Sequence, residues 1–137
     1  RQVYENPDWT PAERKAAWRQ LEAEFRPHIT FDGIPYLEEG TRWQYQMHIY
    51  ETPFYYIDYC LAQTAALQFL LASRKDYDDA FHRYVRFLSQ GGEKVFTELL
   101  QEAGLRSPFQ EGALQTVAQE SEALLNELER ALSQETK

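Results

Sequence analysis

The stretch "HIYETPFYYIDYCLAQTAALQFLL", His48 to Leu71, decides how this chain is read. It sets a histidine, four tyrosines and two acids beside a long run of Ala, Leu and Phe. Thr52-Pro53 punctuates it: Thr52 can cap and Pro53 can take the first position of a helix that runs to about Ser73. That helix is apolar nearly all round, so it should lie inside an assembly. At 100° per residue, Tyr55, Tyr56 and Tyr59 fall within about 100° of arc, and Gln63 continues the row one turn on. A buried phenol needs a hydrogen-bond partner. Three in one stripe are either three satisfied core contacts or the wall of a wet groove. His48 precedes the stripe across one turn. It is either a structural residue or a neutral donor aimed at the same space, where imidazole and phenol together would stabilise an oxyanion.

Working outward, the rest of the chain also reads as helix. Thr10, Pro11 and Glu13 make a capping-box signature, and Ala17, Trp18, Leu21 and Phe25 follow at helical spacing, predicting a helix over Pro11 to about Arg26. Pro27 ends it, and the Asp32-Gly33 pair and Ile34-Pro35 mark an irregular connection. A second helix is expected from Leu37 or Thr41 to Tyr50, with Trp43, Met47 and Tyr50 on one face. Asp76, Asp78 and Asp79 start a helix that Gly91 ends, and Gly104 closes a short one. A final helix from about Glu111 to Ser133 carries Leu114, Val117, Ser121, Leu124, Leu125, Leu128 and Leu132 along one stripe. No strand pattern or internal repeat stands out. The expectation is an all-α fold of about six helices forming a single segment over 1–137.

Composition bounds the function. The 137 residues suffice for one domain, and Gly and Pro, six each, are too scarce for a turn-rich β fold. A net charge of -8 argues against nucleic acid or an anionic membrane surface as partner. No apolar run is long enough to span a bilayer. The polar start, "RQVYENPDW", is not a signal peptide, and a chain beginning at Arg1 is expected to be a piece of a longer protein. Cys60 is the only cysteine, so there is no internal disulfide; among apolar neighbours it reads as a small core residue. His28, His48 and His82 include no pair at the i, i+4 spacing of a helical zinc motif, so no metal site is expected within this chain.

The segments "VYENPDWTPAER", "RPHITFDGIPYLEEGTRWQYQMHIYETPFYYIDYCLAQTAALQF" and "GGEKVFTELLQEAGLRSPFQEG" resemble the C-terminal part of oligoendopeptidase F-type proteins. These belong to the thimet oligopeptidase-like M3 family of zinc metallopeptidases. The resemblance runs from Val3 to about Leu125 and is most specific in "HIYETPFYYIDYCLAQ". It implies a helical channel fold, a cytoplasmic enzyme and short peptides as substrate. It also implies zinc held by an HExxH helix and a later glutamate. His48, Tyr56 and Tyr59 match the channel histidine and tyrosines that bind the substrate backbone and stabilise the oxyanion. Tyr55 is their neighbour, and Gly33 lies in the "DGIPY" stretch that resembles the loop entering the channel. Both are expected on the substrate-binding side.

HExxH and the third ligand lie upstream in the family, and nothing in this chain replaces them. Zinc is therefore expected in the complete parent and not in this chain, which should be inactive alone. The upstream zinc-binding part of the same protein is then its main partner. Without that part the chain exposes aromatic surface, so a homo-oligomer is also an expected form. A non-catalytic helical module that binds peptides or oligomerises is the alternative.

Overall fold

The computed structural model describes residues 1–135. Among the described residues there is no strand, and the all-α expectation holds. The elements are α1 (Gln2–Glu5), α2 (Pro11–Phe25), α3 (Pro35–Glu38), a 3-10 turn (Arg42–Tyr45), α4 (Met47–Glu51), α5 (Ile57–Lys75), α6 (Tyr77–Ser89), α7 (Phe96–Glu102) and α8 (Ala113–Glu135). The chain forms two compact units, Arg1–Tyr56 and the residues from Ile57 onward.

In the first unit, α2 begins as its sequence dictates. The Thr10 hydroxyl accepts from the Glu13 amide, and the Glu13 carboxylate accepts from the Thr10 amide at 2.7 Å. The Thr10 hydroxyl also donates to that carboxylate at 2.7 Å, and this bond together with the one from the Thr10 amide holds the Glu13 carboxyl below its ordinary range. Gly40 anchors the loop segment to α2. Its φ is +82°, and a Cβ there would lie 2.3 Å from the Lys15 carbonyl oxygen. Beside it, Lys15 pairs with Glu39 at 2.6 Å and holds that carboxyl low. Thr41 is buried, with its hydroxyl donating to the Tyr36 carbonyl.

The expected second helix is not continuous. Gln46, at φ -86° and ψ 89°, separates the 3-10 turn from α4, and the Gly40 turn separates α3 from both. Trp43 and Tyr50 nevertheless meet, with ring centroids 6.1 Å apart. Met47, expected on the same face, is exposed.

In the second unit, α5 packs against α6 and α8, and α6 against α7. Asp76 caps α6 by accepting from the Asp79 amide. The core is small, with Ala65, Ala80, Leu99, Leu100, Ala103, Ala113 and Val117 buried. The Arg83 guanidinium joins α6 to the end of α7, donating to the Ala103 carbonyl at 2.9 Å and pairing with Asp79 at 2.8 Å. Gly104, at φ +67°, closes α7, where the Leu105 amide returns to the Leu100 carbonyl.

Two expectations fail here. The helix foreseen from Pro53 starts at Ile57, because Phe54 takes φ +69° and the Tyr55 amide closes a turn onto the Thr52 carbonyl. Cys60 is exposed rather than a core residue. Its helix is apolar on most sides, but within this chain only Ala65 of α5 is buried, so apolar neighbours in sequence do not cover it.

Candidate functional site

The candidate site is built on the end of α4 and the turn that follows it. The short helix Met47–Glu51 carries His48, and the Phe54 turn reverses the backbone so that the next two tyrosines come back against it. The His48 ring meets Tyr56 edge-on, with centroids 4.5 Å apart and planes at 82°. It lies nearly parallel to Tyr55 at 6.0 Å. On the other side of the turn, Phe54 stacks on Tyr4 at 5.3 Å, which fixes the reversal. A non-glycine residue at positive φ costs of order 1–3 kcal/mol, and such strain persists where packing over-determines it.

The grouping of His48 with Tyr55 and Tyr56 therefore comes from the turn and not from a helical stripe. Tyr59 stands in the first turn of α5. Tyr55, Tyr56 and Tyr59 are 48%, 52% and 55% exposed, so within this chain none is a buried core phenol. Gly33 occupies a separate turn at φ +81°, in which the Ile34 amide donates to the Phe31 carbonyl. Its own amide donates to the Glu38 carboxylate at 2.7 Å, and a Cβ there would meet nothing within 4 Å.

Tyr56 also lines a cavity of about 590 Å³ in the first unit, with Trp18, Leu21, Glu22, Arg42 and Ile49 among its walls. Glu22 and Arg42 face each other there at 3.5 Å. Neither stood out in the sequence. Glu22 is one of several polar positions of α2, and no local pattern marks Arg42. A phenol, a guanidinium and a carboxylate on an apolar cavity wall can donate to and accept from a peptide backbone.

Residues 1–119 match peptidase family M3. The chain belongs to that family. It is similar to a PZ peptidase A solved with an inhibitor, at 52% identity and a TM-score of 0.82 over 91% of this chain and 22% of that one. It is also similar to a crystallised oligoendopeptidase F, at 47% identity and 0.82 over 91% of this chain and 22% of that one. An oligoendopeptidase F from Bacillus anthracis str. Ames matches at 42% identity and 0.66, over 91% of this chain and 19% of that one. The M3 chain thus spans about a fifth of the length of the solved peptidases it matches. No match is found among curated proteins. The helical fold and the M3 membership agree with the resemblance carried by "HIYETPFYYIDYCLAQ".

The zinc that the family implies does not fit the residues described here. The sequence contains no HExxH, and among the described residues no three His, Cys, Asp or Glu side chains are grouped to hold a metal ion. Among the described residues no helix is long and apolar enough to cross a membrane.

Proposed function

We propose that this M3 chain is the substrate-facing C-terminal segment of a zinc-dependent oligopeptidase that hydrolyses short peptides in the cytoplasm. The observation that carries the reading is the His48 ring set edge-on against Tyr56 and parallel to Tyr55, on one short helix and its turn. In this role the His48 imidazole and the Tyr56 and Tyr59 hydroxyls donate hydrogen bonds to the peptide carbonyl. Those bonds tighten as that oxygen gains negative charge in the transition state. Tyr55 and Gly33 contact the substrate backbone alongside them. The metal and its ligands belong to the remainder of the same polypeptide, the zinc-binding part that is this segment's partner. The isolated chain is then inactive.

The test is hydrolysis of an internally quenched short peptide by the complete protein. Tyr59→Phe and Tyr56→Phe each remove one donor and keep the ring. Each is expected to lower kcat by roughly 10²-fold while KM changes little, since the donor acts mainly in the transition state. An unchanged kcat in both variants rejects the assignment. The 137-residue chain should not cleave the same peptide with or without added zinc; binding without cleavage, in a protein whose complete form is also inactive, would favour a peptide-binding module.

A further inference from the structure

A second cavity of the first unit, also about 590 Å³, is walled by Tyr4, Trp9, Trp18, Trp43 and Tyr50, with Arg14 among them. All three tryptophans of the chain line it. Three side-chain atoms of this wall are buried without a hydrogen-bond partner: Arg14 Nε, Trp18 Nε1 and Trp43 Nε1. Each is a donor, so what the wall lacks is an acceptor. Arg1, the other cation of the wall, is already paired with Glu5 at 2.9 Å. Arg14 has no ion pair among the described residues. That is informative in a chain with 22 acidic and 14 basic residues, where carboxylates are abundant. A guanidinium pairs best with a planar carboxylate, and buried donors are rarely left unsatisfied in a complete protein.

We infer that this tryptophan cavity is the seat of a carboxylate side chain borne by the part of the polypeptide outside these 137 residues, with Arg14 as its counter-ion. The inference rests on the reading of the chain as part of a longer peptidase. The matched structures are about five times its length, so most of the polypeptide that could cover this wall lies elsewhere. A second copy of the chain suits the seat less well, because both copies carry a charge of -8.

Ala17, on the same wall, supplies the probe. Ala17→Cys is placed in a Cys60→Ser background, and its alkylation by iodoacetamide is followed by mass spectrometry of the peptide that carries it. The thiol should react readily in the 137-residue chain and at least about tenfold more slowly in the complete protein. Adding Arg14→Met to the complete protein should restore most of the reactivity seen in the 137-residue chain, because it strands a buried carboxylate without its partner. Arg14→Lys, which keeps the charge and loses the fork, should fall between. Equal reactivity in the chain and the complete protein overturns the inference. So does protection that survives Arg14→Met, which would mean apolar cover alone. So does protection that appears in the 137-residue chain only as its concentration rises, which would name a second copy. Peptide hydrolysis by the complete protein is scored separately, so a failed seat and a failed peptidase assignment give different results.

Discussion

Gly40→Ala puts the packing of the first unit to a direct test. Two costs add at this position. A residue with a Cβ at φ +82° sits in the left-handed region, at roughly 1–2 kcal/mol. The new Cβ would also lie 2.3 Å from the Lys15 carbonyl oxygen, a backbone atom that cannot rotate away, and 2.7 Å from Arg19 Cγ. Relieving that overlap means moving the loop off α2, an overpacking cost of about 1–3 kcal/mol. Gly33→Ala is the matched control, because it has nearly the same φ of +81° with nothing within 4 Å of the added carbon. It should therefore cost about 1 kcal/mol from conformation alone. Trp9, Trp18 and Trp43 all lie in the first unit, so urea unfolding followed by tryptophan emission reads that unit selectively. With a slope of about 1 kcal/mol/M for so small a unit, Gly33→Ala should lower the midpoint by about 1 M and Gly40→Ala by about 3 M. The larger loss is comparable to the whole stability of a unit this size, at roughly 0.1 kcal/mol per residue. An unfolded-like emission spectrum in water is therefore the limiting form of the same result. If the two variants shift the midpoint equally, the close approach of Gly40 to α2 is wrong.

Three further expectations follow from the same geometry. Leu100→Ala empties a fully buried position of the second unit and should cost about 2–5 kcal/mol, seen as an earlier thermal transition in far-ultraviolet circular dichroism. Thr10→Ala removes the hydroxyl half of the capping box, keeping the amide that donates to Glu13, and should cost about 1 kcal/mol, read by the same urea titration; no loss would mean that α2 starts elsewhere. The carboxyls of Glu13, Glu39 and Glu102 are all held below their ordinary value of 4.5 by hydrogen bonds from Thr10, Lys15 and Lys94 respectively. A depressed folded value means that the unfolded chain takes up protons first, so this stabilisation is complete above about pH 5 and is lost as pH falls through 4.5 and below. Thermal midpoints should be flat near neutrality and drop in that acid window, and replacing Glu39 by Gln should make the drop smaller.

Most of the helices were legible because their signals are local. Thr10, Pro11 and Glu13 announce α2, Asp76 announces α6, and Gly104 closes α7, each through bonds spanning a few residues. The segment from Leu37 to Tyr50 was not legible in this way. Its periodicity fits one helix, yet Gly40 is drawn against Lys15, twenty-five residues earlier in sequence, and that contact outweighs the local preference. The start of α5 was misplaced for a related reason. Thr52-Pro53 is a good helix opening by composition, while Phe54 at φ +69° defers the helix to Ile57 and is held by stacking on Tyr4. In the candidate site the residue types were readable, but the wheel that grouped Tyr55 and Tyr56 was not the right construction. Glu22 and Arg42 carried no sequence signal, since their pairing joins α2 to a turn twenty residues on.

By itself, the sequence determined an all-α chain, the caps that start and stop its helices, and M3 membership through "HIYETPFYYIDYCLAQ". The helices and caps depend on spacing and on short-range hydrogen bonds, which any reading of the residues in order preserves, and the membership rests on the resemblance of that stretch to the family. The tertiary structure alone decided that His48 meets Tyr55 and Tyr56 across a strained turn. It also decided that Cys60 is exposed, and that Arg14 and three tryptophans wall one cavity. Those facts depend on which distant backbone approaches which, and a one-dimensional pattern of polar and apolar residues does not encode that distance.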